Sequence, residues 1–236
     1  MRIQLALGIV VIGACGDNGS RPIDAHGVHD VRITDTPLDA PSLCGANVRA
    51  YDDWTTTTAG SQWTVTTDPD ITITEGGGQL AFAFKASTAA GAAAGYVEAA
   101  AIDFTGGCMF TGWATTPNQA KSAYGEVLIG DTTTSVGYRV QAGMLEAISV
   151  ATAGGSATIV HQAPYDSTAD HFLRVRESAG TITWETSPDS VAFTDFASAA
   201  ETLTTASMKA QLGATAPAAV TNAGTVTFLP ISIVSP

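Results

Sequence analysis

Residues 170–190 read DHFLRVRESAGTITWETSPDS, and this stretch predicts an antiparallel β-hairpin. In its first half Leu173 and Val175 alternate with charged residues, and in its second half Ile182 and Trp184 alternate with polar ones. A hairpin that buries both apolar sets on one face must pair Val175 with Trp184. A slip of one residue would turn Trp184 towards water, so the register is strongly specified.

The same register predicts what lies on the polar face of the hairpin. Arg174 falls opposite Glu185, and we expect the two side chains to form a charge pair exposed to solvent. The second strand runs into a tight turn at residues 187–190. In this turn Pro188 presets φ, and the carboxylate of Asp189 is suited to accept hydrogen bonds from its own backbone.

Short apolar segments separated by glycine turns continue on both sides of the hairpin. Residues 79–84 alternate cleanly, with Leu80, Phe82 and Phe84 on one face. Residues 89–94 are rich in alanine but contain a glycine, and we predict a loop there. Further strands are predicted at 63–67, 71–74, 96–103, 108–115, 124–130, 136–141, 145–150, 157–161, 207–213 and 225–233. More than ten strands and almost no helix predict an all-β fold, a two-sheet antiparallel β-sandwich of the jelly-roll type.

The hairpin and its turn resemble a known family. A strand with the His-x-Leu-Arg-x-Arg pattern, followed by Trp-Glu-Thr-Ser-Pro-Asp, resembles the concanavalin A-like lectin/glucanase superfamily, and especially the non-catalytic lectin-like domains of bacterial extracellular proteins. Residues 51–54, 78–80 and 223–228 resemble other strands of that family, so the likeness covers about residues 46–233. Ser190 departs from the glycine usual in the turn, and Phe193 stands where tryptophan is frequent. The resemblance implies the sandwich fold and says little about the ligand.

The N-terminus predicts where the protein resides. Residues 1–14 combine an arginine, an apolar run and small residues before Cys15, which is typical of a secretory signal peptide. This resembles the lipobox of bacterial lipoproteins, in which the cysteine thiol receives a diacylglycerol, so that the protein carries fatty acyl chains such as palmitate. The alternatives are an ordinary signal peptide or a short membrane anchor, although the apolar run is shorter than the roughly 20 residues that span a bilayer. We therefore expect a lipidated Cys15 and disordered tether over 15–43, and the sandwich domain over 44–236.

The residue after the lipobox, the net charge and the other cysteines predict the membrane, the excluded partners and a disulfide bond. Asp17 is one position too late for the aspartate that tends to retain lipoproteins at the inner membrane, so the outer membrane or cell surface is favoured. The net charge of −12 repels phosphate backbones, which excludes nucleic acid as an expected partner. Cys44 and Cys108 predict a disulfide bond, worth about 4 kcal/mol in the chain-entropy model, and two buried free thiols are the alternative.

The sequence lacks the patterns of known catalytic sites. Glycoside hydrolases of the resembled fold carry a Glu-x-Asp-x-x-Glu strand, which is absent here. Glu126 and Asp131 come nearest, but they are five positions apart and strand alternation predicts opposite faces. A Gly-x-Ser-x-Gly elbow is also absent. We predict a protein that is not an enzyme, with a cryptic glycoside hydrolase using a non-standard acid pair as the alternative.

Aromatic residues are the candidates for binding glycan, because a sugar ring stacks on an aromatic face. Trp113, Tyr124 and Tyr138 are the candidates, and core packing is the competing explanation for each. Asp166 and Asp170 share one loop and are weak candidates for a structural calcium ion, with turn capping as the alternative. No other cofactor is expected. The sequence predicts an exported lipoprotein that binds polysaccharide or another surface protein, or serves a structural role at the surface.

Overall fold

The computed structural model describes residues 47–118, 121–131, 133–152 and 155–235. The strands in these ranges are β1 (Asn47–Asp52), β2 (Trp63–Thr66), β3 (Ile71–Gly76), β4 (Gln79–Phe84), β5 (Ser87–Thr88), β6 (Ala92–Glu98), β7 (Cys108–Thr115), β8 (Tyr124–Gly130), β9 (Ser135–Gln141), β10 (Met144–Val150), β11 (Thr158–Pro164), β12 (Phe172–Ser178), β13 (Thr181–Ser187), β14 (Thr194–Ala200), β15 (Lys209–Ala216), β16 (Val220–Thr221), β17 (Thr225–Phe228) and β18 (Ile231–Ser235). Within these ranges there is no helix, and hence none that is long and apolar enough to span a membrane. The predicted all-β fold is confirmed.

Two large antiparallel sheets form a sandwich. The nine-stranded sheet has the order β14-β13-β12-β7-β17-β4-β3, and β18 and β1 extend it from β7. The seven-stranded sheet has the order β11-β10-β9-β8-β15-β6-β2. Neighbours such as β12 and β7, or β15 and β6, come from distant parts of the chain, which is typical of jelly-roll connections.

Apolar side chains from both sheets meet in one core. The core contains an aromatic cluster. In it the rings of Trp54 and Trp63 are 5.6 Å apart, and each lies 6.0 Å from the ring of Tyr96. The indole N–H of Trp63 donates to the carboxylate of Asp52 at 2.7 Å. The buried polar atoms of the cluster are therefore hydrogen-bonded, as buried indoles usually are.

The predicted hairpin forms as β12 and β13, in the predicted register. Val175 pairs with Trp184. All four apolar side chains of the hairpin lie in the core with 1% of their surface exposed, namely Leu173, Val175, Ile182 and Trp184. The indole N–H of Trp184 donates to the carbonyl of Gly137 at 2.8 Å, so this residue also links the two sheets.

Arg174 faces Glu185 as predicted, but the prediction that this pair is exposed is wrong. The side chains of Arg174 and Glu185 are 2% and 5% exposed. The Arg174 Nε donates to Glu185 Oε2 at 2.6 Å, and its second N–H group donates to Oε1 at 2.9 Å. Arg176 lies at the margin, 3.4 Å from Glu185 Oε1. The outer face of this hairpin is therefore a second buried layer.

Aromatic side chains cover the ion pair. The ring of Phe193, in the loop after the hairpin, lies 4.0 Å from the guanidinium carbon of Arg174. Phe110 packs against Phe193 and stacks on Phe172, with ring distances of 5.9 and 5.7 Å. The alternation of the hairpin identifies the outer face but contains no information about the loop that folds over it. Ser190 lies in the turn that leads into this loop. Its φ of 64° is in the region that favours glycine.

The strands differ from the sequence predictions most clearly at β6, at residues 225–233 and at β14. β6 begins at Ala92, inside the predicted loop, because pairing of Ala92–Ala94 with β15 outweighs the low β-propensity of alanine. The long strand predicted at 225–233 is two strands, which separate at Pro230, where a backbone donor is missing. β14 was not predicted, because its apolar residues are mostly alanine.

Candidate functional site

A groove lies on the outer face of the seven-stranded sheet, over β8, β9 and β15, and we call it the β8–β9 groove. Alternation along β8 buries Val127 and Ile129 in the core and leaves Tyr124 and Glu126 partly exposed on the opposite face. The groove has a volume of about 600 Å³. It is lined by Tyr124, Glu126, Leu128, Asp131, Thr133, Thr134, Ser135, Arg139, Gln141, Val150, Gly155, Ser156, Ala157, Gln211 and Pro217.

Cross-strand pairing sets a row of charges across this face. Glu126 on β8 is opposite Arg139 on β9, which is opposite Glu146 on β10. Arg139 bonds to Glu146, because both its Nε and a terminal nitrogen lie 2.7 Å from Glu146 Oε2. The guanidinium also lies over the ring of Tyr124, at 5.1 Å from the centroid. Arg139 is thus fixed on two sides, and Glu146 is not among the residues that line the groove.

Glu126 has a different environment from Glu146. Burial raises the pKa of the Glu126 carboxyl, and the charge of Arg139 opposes this with a smaller effect. Among the described residues, none donates a hydrogen bond to the Glu126 carboxylate. Burial likewise raises the pKa of the adjacent Tyr124 phenol. The groove therefore presents a desolvated carboxyl with free hydrogen-bonding capacity next to an aromatic ring.

Asp131 lies in the turn that follows β8. Its Oδ1 accepts hydrogen bonds from the backbone N–H groups of Thr133 and Thr134 at 2.6 and 2.7 Å. These bonds lower the pKa of the Asp131 carboxyl to about 2. The spacing of Glu126 and Asp131 predicted opposite faces, but both line the groove, because β8 ends at Gly130 and strand alternation ends with it.

A smaller cavity of about 190 Å³ shares Glu126 and Gln211 with the β8–β9 groove. It lies over β15 and β6, where Gly95 pairs with Gly213. A Cβ on Gly95 would approach the Leu212 carbonyl oxygen to 2.9 Å, so this floor requires glycine. The two cavities together give a surface that is charged over β8 and β9 and nearly bare of side chains over β6.

The aromatic residues selected from the sequence do not lie together. The structure places Trp113 and Tyr138 in the core, with 1% and 0% of their surfaces exposed, so a ligand cannot reach their rings. The Tyr138 hydroxyl donates to the carbonyl of Glu185 at 2.8 Å, which is a contact between the sheets. Of the three candidates, Tyr124 lines the groove. Trp113 and Tyr138 both point into the core. Alternation along a single strand does not show which of its two faces is the inward one.

The two aspartates proposed for calcium cap their own loop. Asp166 Oδ1 accepts from the N–H groups of Thr168 and Ala169, and Asp170 Oδ2 accepts from the N–H of Asp166 at 2.9 Å. Burial raises the pKa of the Asp170 carboxyl. The described residues contain no group of three or more potential metal ligands. A structural calcium ion at Asp166 and Asp170 stays a prediction.

The cysteine predictions fall mainly outside the described ranges. Cys15 and Cys44 are not in them, and neither are the predicted signal peptide and tether. Cys108 begins β7 and is completely buried against Val234. Lipidation at Cys15 and pairing of Cys44 with Cys108 both stay predictions.

Comparison with known proteins supports the fold. No protein-family model matches the chain, and no curated protein matches its sequence. The Crh5 transglycosylase is similar in structure, with a TM-score of 0.55, 15% identity and coverage of 83% of this chain and 87% of that one. The exoplasmic/lumenal domain of VIP36 in a Ca²⁺/Man-bound form has a TM-score of 0.55 at 9% identity, covering 80% and 92%. A Bacillus licheniformis β-glucanase has a TM-score of 0.54 at 6% identity, covering 81% and 99%.

These likenesses establish the class of fold. The chain has the concanavalin A-like sandwich architecture found in both lectins and glucanases, as the resemblance of the hairpin implied. The same fold occurs in a Man-bound domain and in a glucanase, so the likeness establishes the fold and does not distinguish binding from catalysis.

Sequence reasoning missed most of the groove. Arg139, Gln141 and Gln211 were not selected, and Glu126 was considered only as half of an acid pair. A usable signal was present, since Tyr124 and Glu126 share the polar face of a predicted strand. The partners of that strand, β9 and β15, lie at very different distances along the chain and cannot be identified from alternation alone.

Proposed function

We propose that this protein is an exported, lipid-anchored lectin-like protein that binds glycan in the β8–β9 groove without hydrolysing it. The fold supports a glycan-related role. The groove supports binding, because the ring of Tyr124 and the side chains of Gln141 and Gln211 all line it. An apolar ring next to hydrogen-bonding groups is the combination that a sugar ring and its hydroxyls require.

The placement of the carboxylates favours binding over hydrolysis. Glycoside hydrolysis uses two carboxyl groups that both reach the substrate. Glu126 lines the groove, but Glu146 does not, and it is paired with Arg139. The Asp131 carboxylate is held by its own turn, and Asp189 has the same kind of turn bonds away from this groove. The low pKa of Asp131 is thus a property of the turn.

A glycoside hydrolase is the second candidate function, and one observation favours it. Glu126 and Asp131 line the same groove with pKa values shifted in opposite directions, as an acid and its partner carboxylate require. Release of reducing sugar from a soluble polysaccharide is the measurement. Turnover that is lost in both Glu126→Gln and Asp131→Asn would replace the binding proposal, whereas binding without turnover supports it.

The binding proposal is tested by calorimetric titration with a panel of soluble polysaccharides. We expect Tyr124→Ala and Gln211→Ala to weaken binding, because each removes a different kind of contact. Gln79→Ala is the matched control, since Gln79 is an exposed amide on the nine-stranded sheet. Loss of affinity in all three variants would place the ligand elsewhere, and no binding across the panel would favour a structural role at the surface.

The anchor is tested separately. Cys15→Ser removes the thiol that would carry the acyl chains, so we expect loss of metabolic labelling by palmitate and release from the membrane fraction. Wild-type levels of membrane-bound mutant would contradict the lipoprotein proposal. The soluble Cys15→Ser protein is also the suitable form for the binding measurements.

A further inference from the structure

The strongest unexplained feature of the groove is the carboxyl group of Glu126. It lines both the 600 Å³ and the 190 Å³ cavities. The other acids nearby have partners, since Asp131 accepts from Thr133 and Thr134, and Glu146 accepts from Arg139. Glu126 has no hydrogen-bond donor among the described residues. Glu126 is partly exposed in the groove and can accept a hydrogen bond from a ligand, so a ligand that supplies a donor there gains affinity.

The charges around Glu126 indicate the sign of that ligand. Arg139 is the single cation among the described residues that line the groove, and it is paired with Glu146. Together with Glu126 and Asp131, this makes three carboxylates against one guanidinium. The whole chain carries −12, which adds a repulsive field for anions. Acidic glycans are therefore disfavoured, and a cationic group is attracted.

The surroundings of Glu126 also accommodate a cation sterically. Gly213 pairs with Glu126 across β8 and β15 and has no side chain, so the space on that side is open. On the other side the ring of Tyr124 already accepts one cation, the guanidinium of Arg139 at 5.1 Å. Arg139 is itself paired with Glu146, which offsets its charge and reduces its repulsion of a second cationic group.

We propose that the β8–β9 groove selects glycans that carry free amino groups, with the ammonium of a deacetylated amino sugar bound at Glu126. This inference rests on the proposed function, that the groove binds glycan at all. The ammonium group donates hydrogen bonds to the Glu126 carboxylate. The hydroxyls of the same sugar ring then face Gln211 and Thr215, which line the smaller cavity. N-acetylation removes both the charge and two of the donors.

The test compares oligomers of equal length that differ in charge. Glucosamine, N-acetylglucosamine and galacturonate oligomers are titrated into the soluble Cys15→Ser protein by calorimetry. We expect the glucosamine oligomer to bind about tenfold more tightly than the acetylated one, which is the size of one charge-assisted hydrogen bond, and the galacturonate oligomer to bind least. Glu126→Gln should abolish the preference for the free amine while preserving weak binding of the acetylated oligomer.

A matched control separates this site from general attraction to an acidic protein. Asp195→Asn removes the same charge from an exposed position on β14 of the other sheet, and we expect the preference to persist. Equal affinity for the acetylated oligomer, tighter binding of galacturonate, or equal losses in Glu126→Gln and Asp195→Asn would overturn the inference while leaving the proposed function intact. No binding of any oligomer would overturn the inference, and the polysaccharide panel then decides whether the proposed function fails as well.

Discussion

Replacing Arg174 by alanine tests whether the outer layer of the hairpin is truly buried. The substitution removes two hydrogen bonds of 2.6 and 2.9 Å to Glu185 and the contact with the Phe193 ring at 4.0 Å. Glu185, which is 5% exposed in the intact pair, would keep Arg176 at 3.4 Å as its remaining charged partner. Breaking a buried pair by removing one partner costs about 3–5 kcal/mol, because the other charge is left uncompensated. For a domain of this size that lowers Tm by about 10 °C.

Urea unfolding followed by tryptophan fluorescence measures this cost, since Trp184 is buried in the core on the same hairpin. Lys85→Ala is the control, because the Lys85 side chain is 55% exposed and its pair with Asp70 is 3.4 Å long. We expect that control to cost less than about 1 kcal/mol. Joint replacement of Arg174 by Met and Glu185 by Leu should recover most of the loss. If Arg174→Ala costs no more than Lys85→Ala, the pair is open to solvent and the layer described above does not exist.

Four further predictions concern stability. Trp184→Ala should cost about 3–5 kcal/mol in the same urea assay, as a large-to-small change in the core, and a cost below about 1 kcal/mol would contradict its role between the sheets. Ser190→Gly should raise stability by up to about 1 kcal/mol, because Ser190 has a φ of 64°, and a loss would mean that the hydroxyl has a role of its own. Asp131 has its pKa lowered from 3.8 to about 2, so its contribution to stability is present above pH 3.8 and is lost as the pH falls towards 2. The advantage of wild type over Asp131→Asn in melting experiments should therefore shrink over that range, and a constant difference would refute the assignment. If Cys44 and Cys108 pair, mass measurement of the folded mature protein without reductant shows no titratable thiol, and two reactive thiols under denaturing conditions would disprove the bond.

The fold was predictable because its evidence is local. Strict alternation in β12 and β13 sets which side chains share a face, and burying both apolar sets allows a single register. The same reasoning located β4, where Leu80, Phe82 and Phe84 are all buried. The exposure of Arg174 was mispredicted, because coverage of the outer face depends on Phe193 in a loop. Such coverage is a tertiary property that alternation does not encode.

The candidate site was far less predictable. Its charged row requires β8, β9 and β10 to be neighbours, and its amides come from β9 and from β15, which follows much later in the chain. Aromatic content alone selected Tyr124 together with two core residues, since it does not show that Trp113 and Tyr138 point into the core. Glu126 was visible in the sequence as a polar residue in a strand. What could not be seen was that no described residue donates a hydrogen bond to its carboxylate, which depends on every strand around it.

The central claim is that glycan binds on the outer face of the seven-stranded sheet, and the most direct measurement is NMR mapping of a bound oligosaccharide. A soluble glucosamine oligomer is titrated into the isotope-labelled Cys15→Ser protein, and the backbone amide shifts are followed. The account predicts saturable shifts concentrated on β8, β9 and β15, centred on Glu126, with little change on β12 or β13. Shifts centred on the nine-stranded sheet, or none with any glycan of the panel, would contradict it.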